Sequence, residues 1–220
     1  MGRVDNLLYF LDEICETGIA ILSLDEIREA ATHRYSLVRS SVCKALQAYP
    51  KEFSKELLLI LIKDKNKDVR SDAVIQLYDS IGDAEIIVAL WNVFLNDTDS
   101  ISRGYAGAAL IKFCYHDKDS VDKITETLLQ ERNMFVRATC YGEIYGCSGD
   151  EFVLKKLLRC FNSKVYQTRC AVCNILIEFL KKEDVSIVVN LIPQWRKKES
   201  TIAVLSSIED LKKRLDELME

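Results

Sequence analysis

The sequence predicts an all-α fold: a right-handed α-solenoid of about six antiparallel two-helix repeats behind an N-terminal capping helix. The first ground is a recurring arginine. Arg39, Arg70, Arg103, Arg137 and Arg169 follow one another at 31, 33, 34 and 32 residues. The second is the apolar pattern that travels with it. Three positions on stand Val42, Ala73, Ala106, Cys140 and Val172, and seven on stand Leu46, Leu77, Leu110, Ile144 and Leu176. The third is composition: 8 Gly and 2 Pro in 220 residues leave little punctuation for strands and hairpins, while 49% apolar content supports a sizeable core.

Residues 4–17 place Val4, Leu7, Leu8, Leu11, Ile14 and Cys15 on one helical stripe ending at Gly18. This helix has no repeat partner, so 1–18 is read as the cap that covers the first apolar face of the stack. The repeats are 24–49, 52–82, 84–115, 121–149 and 150–181, with 184–220 as a C-terminal capping repeat, all in one domain. Their first helices are expected at 24–33, 52–63, 84–96, 121–131, 150–161 and 184–197. The second helices are expected at 35–49, 69–81, 101–115, 134–147, 165–181 and 201–219. Short polar turns such as Asp64-Lys65-Asn66-Lys67 make neighbouring helices antiparallel. Pro50 and Gly82 mark second-helix ends, and Pro193 should kink or divide the last first-helix. Asp68 is placed as the N-terminal cap of the helix carrying Arg70. Thr201 stands where a sixth arginine would, and the charged tail after it suits a polar outer end.

The unit of two helices with Asp68-Val69-Arg70 at its turn, then Ala73 and Leu77, resembles the HEAT repeat, in particular the short bilin-lyase HEAT-like type. The resemblance covers nearly the whole chain and is best at 68–77. It implies that Asp68 and the five arginines fix the stacking of successive turns. Elsewhere the acid two before the arginine is lost, to Leu37, Ile101, Phe135 and Gln167. The arginines must therefore find other acids or backbone carbonyls. The resemblance also implies that the second helices line a concave face.

Advancing 100° per residue from each arginine puts one set of positions opposite the core stripe. On that face the partner-binding candidates are Asp72, Ile75, Asp79, Tyr105, Ala108, Lys112, Thr139, Gly142, Asn174 and Glu178, with Tyr145 flanking it. Gly104, Ala108, Ala138, Gly142, Gly146 and Ala171 form a strip of small residues. Two readings stay open for it: a groove where a partner approaches the backbone, or close crowding of the second helices. Tyr105 beside Asp72 and Asp79 suits a basic or polar protein partner. Tyr141 and Tyr145 also suit simple packing.

Little points to chemistry. Cys170-Ala171-Val172-Cys173 lacks the four convergent ligands of a structural metal, and the eight cysteines read as small hydrophobes in a reducing compartment. A redox role for Cys170 and Cys173 is the other reading. His33 and His116 have no nucleophile or metal motif around them. Trp91 reads as core and Trp195 as partly exposed. A net charge of −4 argues against a nucleic-acid binder, and the longest apolar run, Leu57 to Ile62, is too short to span a bilayer. No targeting segment is visible at the N-terminus, so the expected setting is cytoplasmic. The expected function is a non-enzymatic scaffold, adaptor or inhibitor holding a protein or peptide, with no cofactor and no metal. The resemblance offers two rivals: an accessory subunit of a bilin lyase or isomerase, and a nucleic-acid-binding HEAT-like protein.

Overall fold

The computed structural model describes residues 3–78 and 83–220. Every regular element among these residues is helical, and none is long and apolar enough to cross a membrane. The chain falls into two compact units, residues 1–109 and 110–220.

The first unit holds α1 (Arg3–Thr17), α2 (Leu24–Ala31), α3 (Ser36–Ala45), α4 (Lys51–Leu61), α5 (Lys67–Tyr78) and α6 (Ala84–Asn96). It ends within α7 (Ser100–Cys114). Helix α2 starts at a capping box: Ser23 Oγ accepts the Glu26 amide at 3.3 Å, and the Glu26 carboxylate takes the Ser23 amide at 2.7 Å. Pro50 stands at the N-cap of α4, where its missing N–H costs nothing. Helix α3 packs against α1, α2 and α5, and α4 lies against α2 and α5. The core stripe follows the arginine register, with Val42, Leu46, Ala73, Leu77 and Ala106 all buried. The cap of α5 is Asn66 instead of Asp68. Its Oδ1 accepts the Asp68 amide at 2.8 Å and the Val69 amide at 3.3 Å, leaving the Asp68 side chain in solvent. Gly82, the expected stop of this helix, lies outside the described residues.

The second unit continues with α8 (Lys118–Gln130), α9 (Met134–Ser148), α10 (Glu151–Arg159), α11 (Tyr166–Phe179), α12 (Val185–Val189), α13 (Ile192–Lys198) and α14 (Ile202–Met219). Single 3-10 turns occupy 160–162 and 182–184. Asn133 and Asp150 cap α9 and α10. Helix α9 closes on Gly149, whose φ of +67° is a left-handed backbone that suits glycine; its amide donates to Tyr145 O at 2.7 Å. Pro193 divides the expected 184–197 helix into α12 and α13 and sits in the first turn of the latter, where proline is tolerated. Helix α11 lies between α9 and α14, while α10 backs α9 and α12 and α13 back α14. Cys140, Val172, Leu176, Val204 and Ile208 form the buried stripe of these second helices. Ile144, expected among them, is half-buried.

Candidate functional site

The recurring arginines sit at the turns, and four of the five make the same local contact. Nη1 of Arg39, Arg70, Arg103 and Arg169 donates to the carbonyl six residues earlier, on His33, Asp64, Asp97 and Ser163, at 2.6–2.9 Å. Three guanidiniums also clasp a carboxylate from the following turn with Nε and Nη2. Arg39 holds Asp64 at 2.6 and 2.8 Å, Arg70 holds Asp97 at 2.7 and 2.7 Å, and Arg169 holds Glu199 at 2.6 and 3.1 Å. Such forked pairs are geometrically specific and about twice as strong as neutral hydrogen bonds. The same carboxylates shape their own turns. Asp64, Asp97 and Glu199 accept the amide two residues on, at 2.8 Å in each case, and Glu131 does so at 2.6 Å. So both kinds of arginine partner expected from the sequence occur together, and exposed Asp68 is not among the acids that the arginines hold.

The pairing is visible in the acids. The Arg169 guanidinium, with the turn amides, holds the Glu199 carboxyl down to about 2. Arg39 likewise lowers Asp64. At Asp97 burial pushes upward, but Arg70 and the Asp99 amide outweigh it and the net shift is downward.

One position breaks the pattern. The turn residue that should face Arg137 is Ser163, whose Oγ accepts the Val165 amide at 3.1 Å as the acids do in their turns. It offers no carboxylate, and Arg137 Nε is buried without a hydrogen-bond partner. The signal was in the sequence: an acid stands six residues before Arg70, Arg103 and Arg137, and Ser163 stands six before Arg169.

The predicted partner-binding residues divide by exposure. In the first unit Asp72 is half-buried and takes a hydrogen bond from Ser40 Oγ, with half-buried Ile75 one turn on. Asp79 lies outside the described residues. Tyr105 is half-buried, and burial raises its phenol. Ala108 is buried. In the second unit Lys112, Asn174 and Glu178 are exposed. Thr139, Gly142 and Tyr145 are packed inside, which corrects their placement on an open face. Thr139 Oγ1 donates back to Phe135 O and Val136 O. A Cβ on Gly142 would meet Ile175 Cγ2 at 2.5 Å, and one on Gly146 would meet Phe179 Cδ1 at 2.8 Å. Here the small residues admit the side chains of α11, so the strip between α9 and α11 is close packing. Tyr145 is 0% exposed; its hydroxyl donates to Asp184 Oδ2 at 2.7 Å and accepts the Lys181 amide at 3.2 Å. No local motif links residues 39 apart, so sequence reasoning missed this pair.

Two cavities lie close to these contacts. In the first unit one of about 650 Å³ has Tyr49, Leu58 and Ile86 in its wall, with Lys55 paired to Asp83 and Glu85. In the second unit one of about 570 Å³ opens beside the Arg169–Glu199 pair. Its floor is Trp195 stacked on Phe161, ring centroids 3.9 Å apart and 8° from parallel. Trp195 is therefore buried, not partly exposed, because the Phe161 ring covers it.

All eight cysteines are free thiols. Burial pushes Cys173 up to about 12 and Cys160 to about 11, and raises Cys43 and Cys140 further, so these sulfurs stay protonated and act as small apolar side chains. Among the described residues no three His, Cys, Asp or Glu side chains gather as a metal site. Compared with known proteins, the chain matches no family description and no curated protein.

Proposed function

We propose that this chain is a non-catalytic interaction module, a HEAT-like α-solenoid that holds a protein or peptide on the exposed face of its second helices. The observation that supports it is the repeated arginine–carboxylate clasp, seen at Asp64, Asp97 and Glu199. A contact repeated in register at successive turns belongs to stacking, and it leaves the helix faces as the surface on which a partner is chosen. In the unit of residues 110–220 this surface is carried by Lys112, Asn174 and Glu178, which are open to solvent; in the unit of residues 1–109 Asp72, Ile75 and Tyr105 are half-covered. The partner that suits exposed Glu178 is basic or polar, met in the cytoplasm as a scaffold, adaptor or inhibitor would meet it.

The test is capture from source-cell extract with the full chain and with an Asn174→Arg, Glu178→Lys variant. Both positions are exposed, so the fold survives and circular dichroism checks it. A protein retained by the parent and lost from the variant is the expected result. Retention by both, or by neither, refutes the assignment.

A further inference from the structure

The cavity beside Arg169 and Glu199 has a chemistry that the second-helix face lacks. Its only carboxylate is Glu199, and that group is fully engaged: Oε2 takes Arg169 Nε, while Oε1 takes Arg169 Nη2 and the amides of Ser200 and Thr201. Arg169 is neutralised by the same clasp. Two further cations line the wall, Arg159 at the end of α10 and Lys198 at the end of α13. Both are exposed, and neither pairs with an acid among the described residues. The same cavity also meets an apolar surface, the 8% of Trp195 and 6% of Phe161 left uncovered, with Leu158 and Leu191 in its wall. Next to the cavity in the chain, Tyr166 and Ile202 present open apolar side chains, Ile202 at 84% exposure.

Two exposed cations without acidic partners and an apolar wall in one cavity select an occupant that carries both negative charge and an apolar group. We propose that this cavity is a second docking site, and that its occupant is an acidic segment of a partner protein. In that segment carboxylates flank one aliphatic or aromatic side chain. The side chain enters the cavity against the small part of Trp195 left uncovered, while carboxylates meet Arg159 and Lys198. The site is separate in charge and position from the face proposed above, so either can fail alone.

The probe is a fluorescein-labelled peptide of alternating Glu and Leu with one central Phe, read by anisotropy against the full chain. A copy with Lys for every Glu is the control. The acidic peptide should bind and the basic copy should not. Arg159→Glu with Lys198→Glu should weaken binding by about tenfold or more, and added salt should weaken it in the parent. The Asn174→Arg, Glu178→Lys variant should bind like the parent, which separates the two surfaces. No binding of the acidic peptide, equal binding of both peptides, or binding indifferent to the Arg159 and Lys198 changes overturns the proposal. So does full displacement by inorganic phosphate at matched concentration, which marks a site for free anions, or tighter binding of single-stranded oligonucleotide.

Discussion

Arg137 offers the most direct test of how these turns are held. Ser163→Asp places a carboxylate where Asp64 and Asp97 stand in their own turns, and it can still accept the Val165 amide as Ser163 Oγ does at 3.1 Å. Two charge-assisted bonds near the 2.6–2.8 Å of the Arg39–Asp64 clasp then become available to Arg137. The largest gain is at Nε, a buried donor without a partner, and satisfying such a group is worth about 1–3 kcal/mol. Desolvating the new carboxylate and fixing the arginine take part of that back. The net expected is about 1–2 kcal/mol, or roughly 2–8 °C in Tm for a chain of this size. Thermal and urea unfolding at pH 7, followed by circular dichroism, measure it. The introduced carboxylate should have a lowered pKa when folded, so its stabilisation holds above its unfolded pKa and disappears as pH falls through the folded one. In an Arg137→Met background the gain should vanish or reverse, since the carboxylate then has no partner. An equal gain in that background would refute the reasoning.

Two other outcomes follow from the same packing. Gly142→Ala should lose about 1–3 kcal/mol despite a helix-propensity gain of about 1, because its Cβ would meet Ile175 Cγ2 at 2.5 Å. Combined with Ile175→Ala, the loss in a urea titration should be smaller than the two single losses added. Glu199 is held down to about 2 from an ordinary 4.5, and Asp64 and Asp97 are also lowered. These depressed acids stabilise the fold above about pH 4.5, and that contribution drains away as pH falls toward 2. The Glu199 share is on the order of 2 kcal/mol after screening. Arg169→Met should flatten the fall of stability between pH 5 and 2, and an unchanged slope would count against the clasp.

The helices were legible because apolar residues recur at helical spacing and because proline acts locally: Pro193 alone separates α12 from α13. The arginines were legible because their spacing is nearly constant. Their acids were not found, because each belongs to the next turn and the connecting first helix varies in length. Asp64 lies 25 residues after Arg39, Asp97 27 after Arg70, and Glu199 30 after Arg169. A search two residues before each arginine, where Asp68 stands, looked on the wrong side. Gly142 and Gly146 were legible as small residues, but what they make room for, Ile175 and Phe179, lies a full repeat away. The angular rule that placed Thr139 and Gly142 outward treats a helix as having one covered side. Helix α9 is covered by α10 and by α11, so little of it faces outward.

The split ownership of each clasp bears on how such a chain can grow. Each clasp joins an arginine to a carboxylate of the following repeat, and the repeat at 52–82 carries one half of two of them: Asp64 for Arg39 before it and Arg70 for Asp97 after it. A gene segment copied in register inserts both halves, and a segment deleted in register removes both, so copy number can drift without stranding a charge. A break elsewhere in the unit leaves one behind. Position 163 shows what such a stranded half is like: Arg137 remains while Ser163 stands where its acid would be. At the far end the series closes cleanly: Thr201 replaces the sixth arginine, and its hydroxyl stands 3.4 Å from the last one, Arg169.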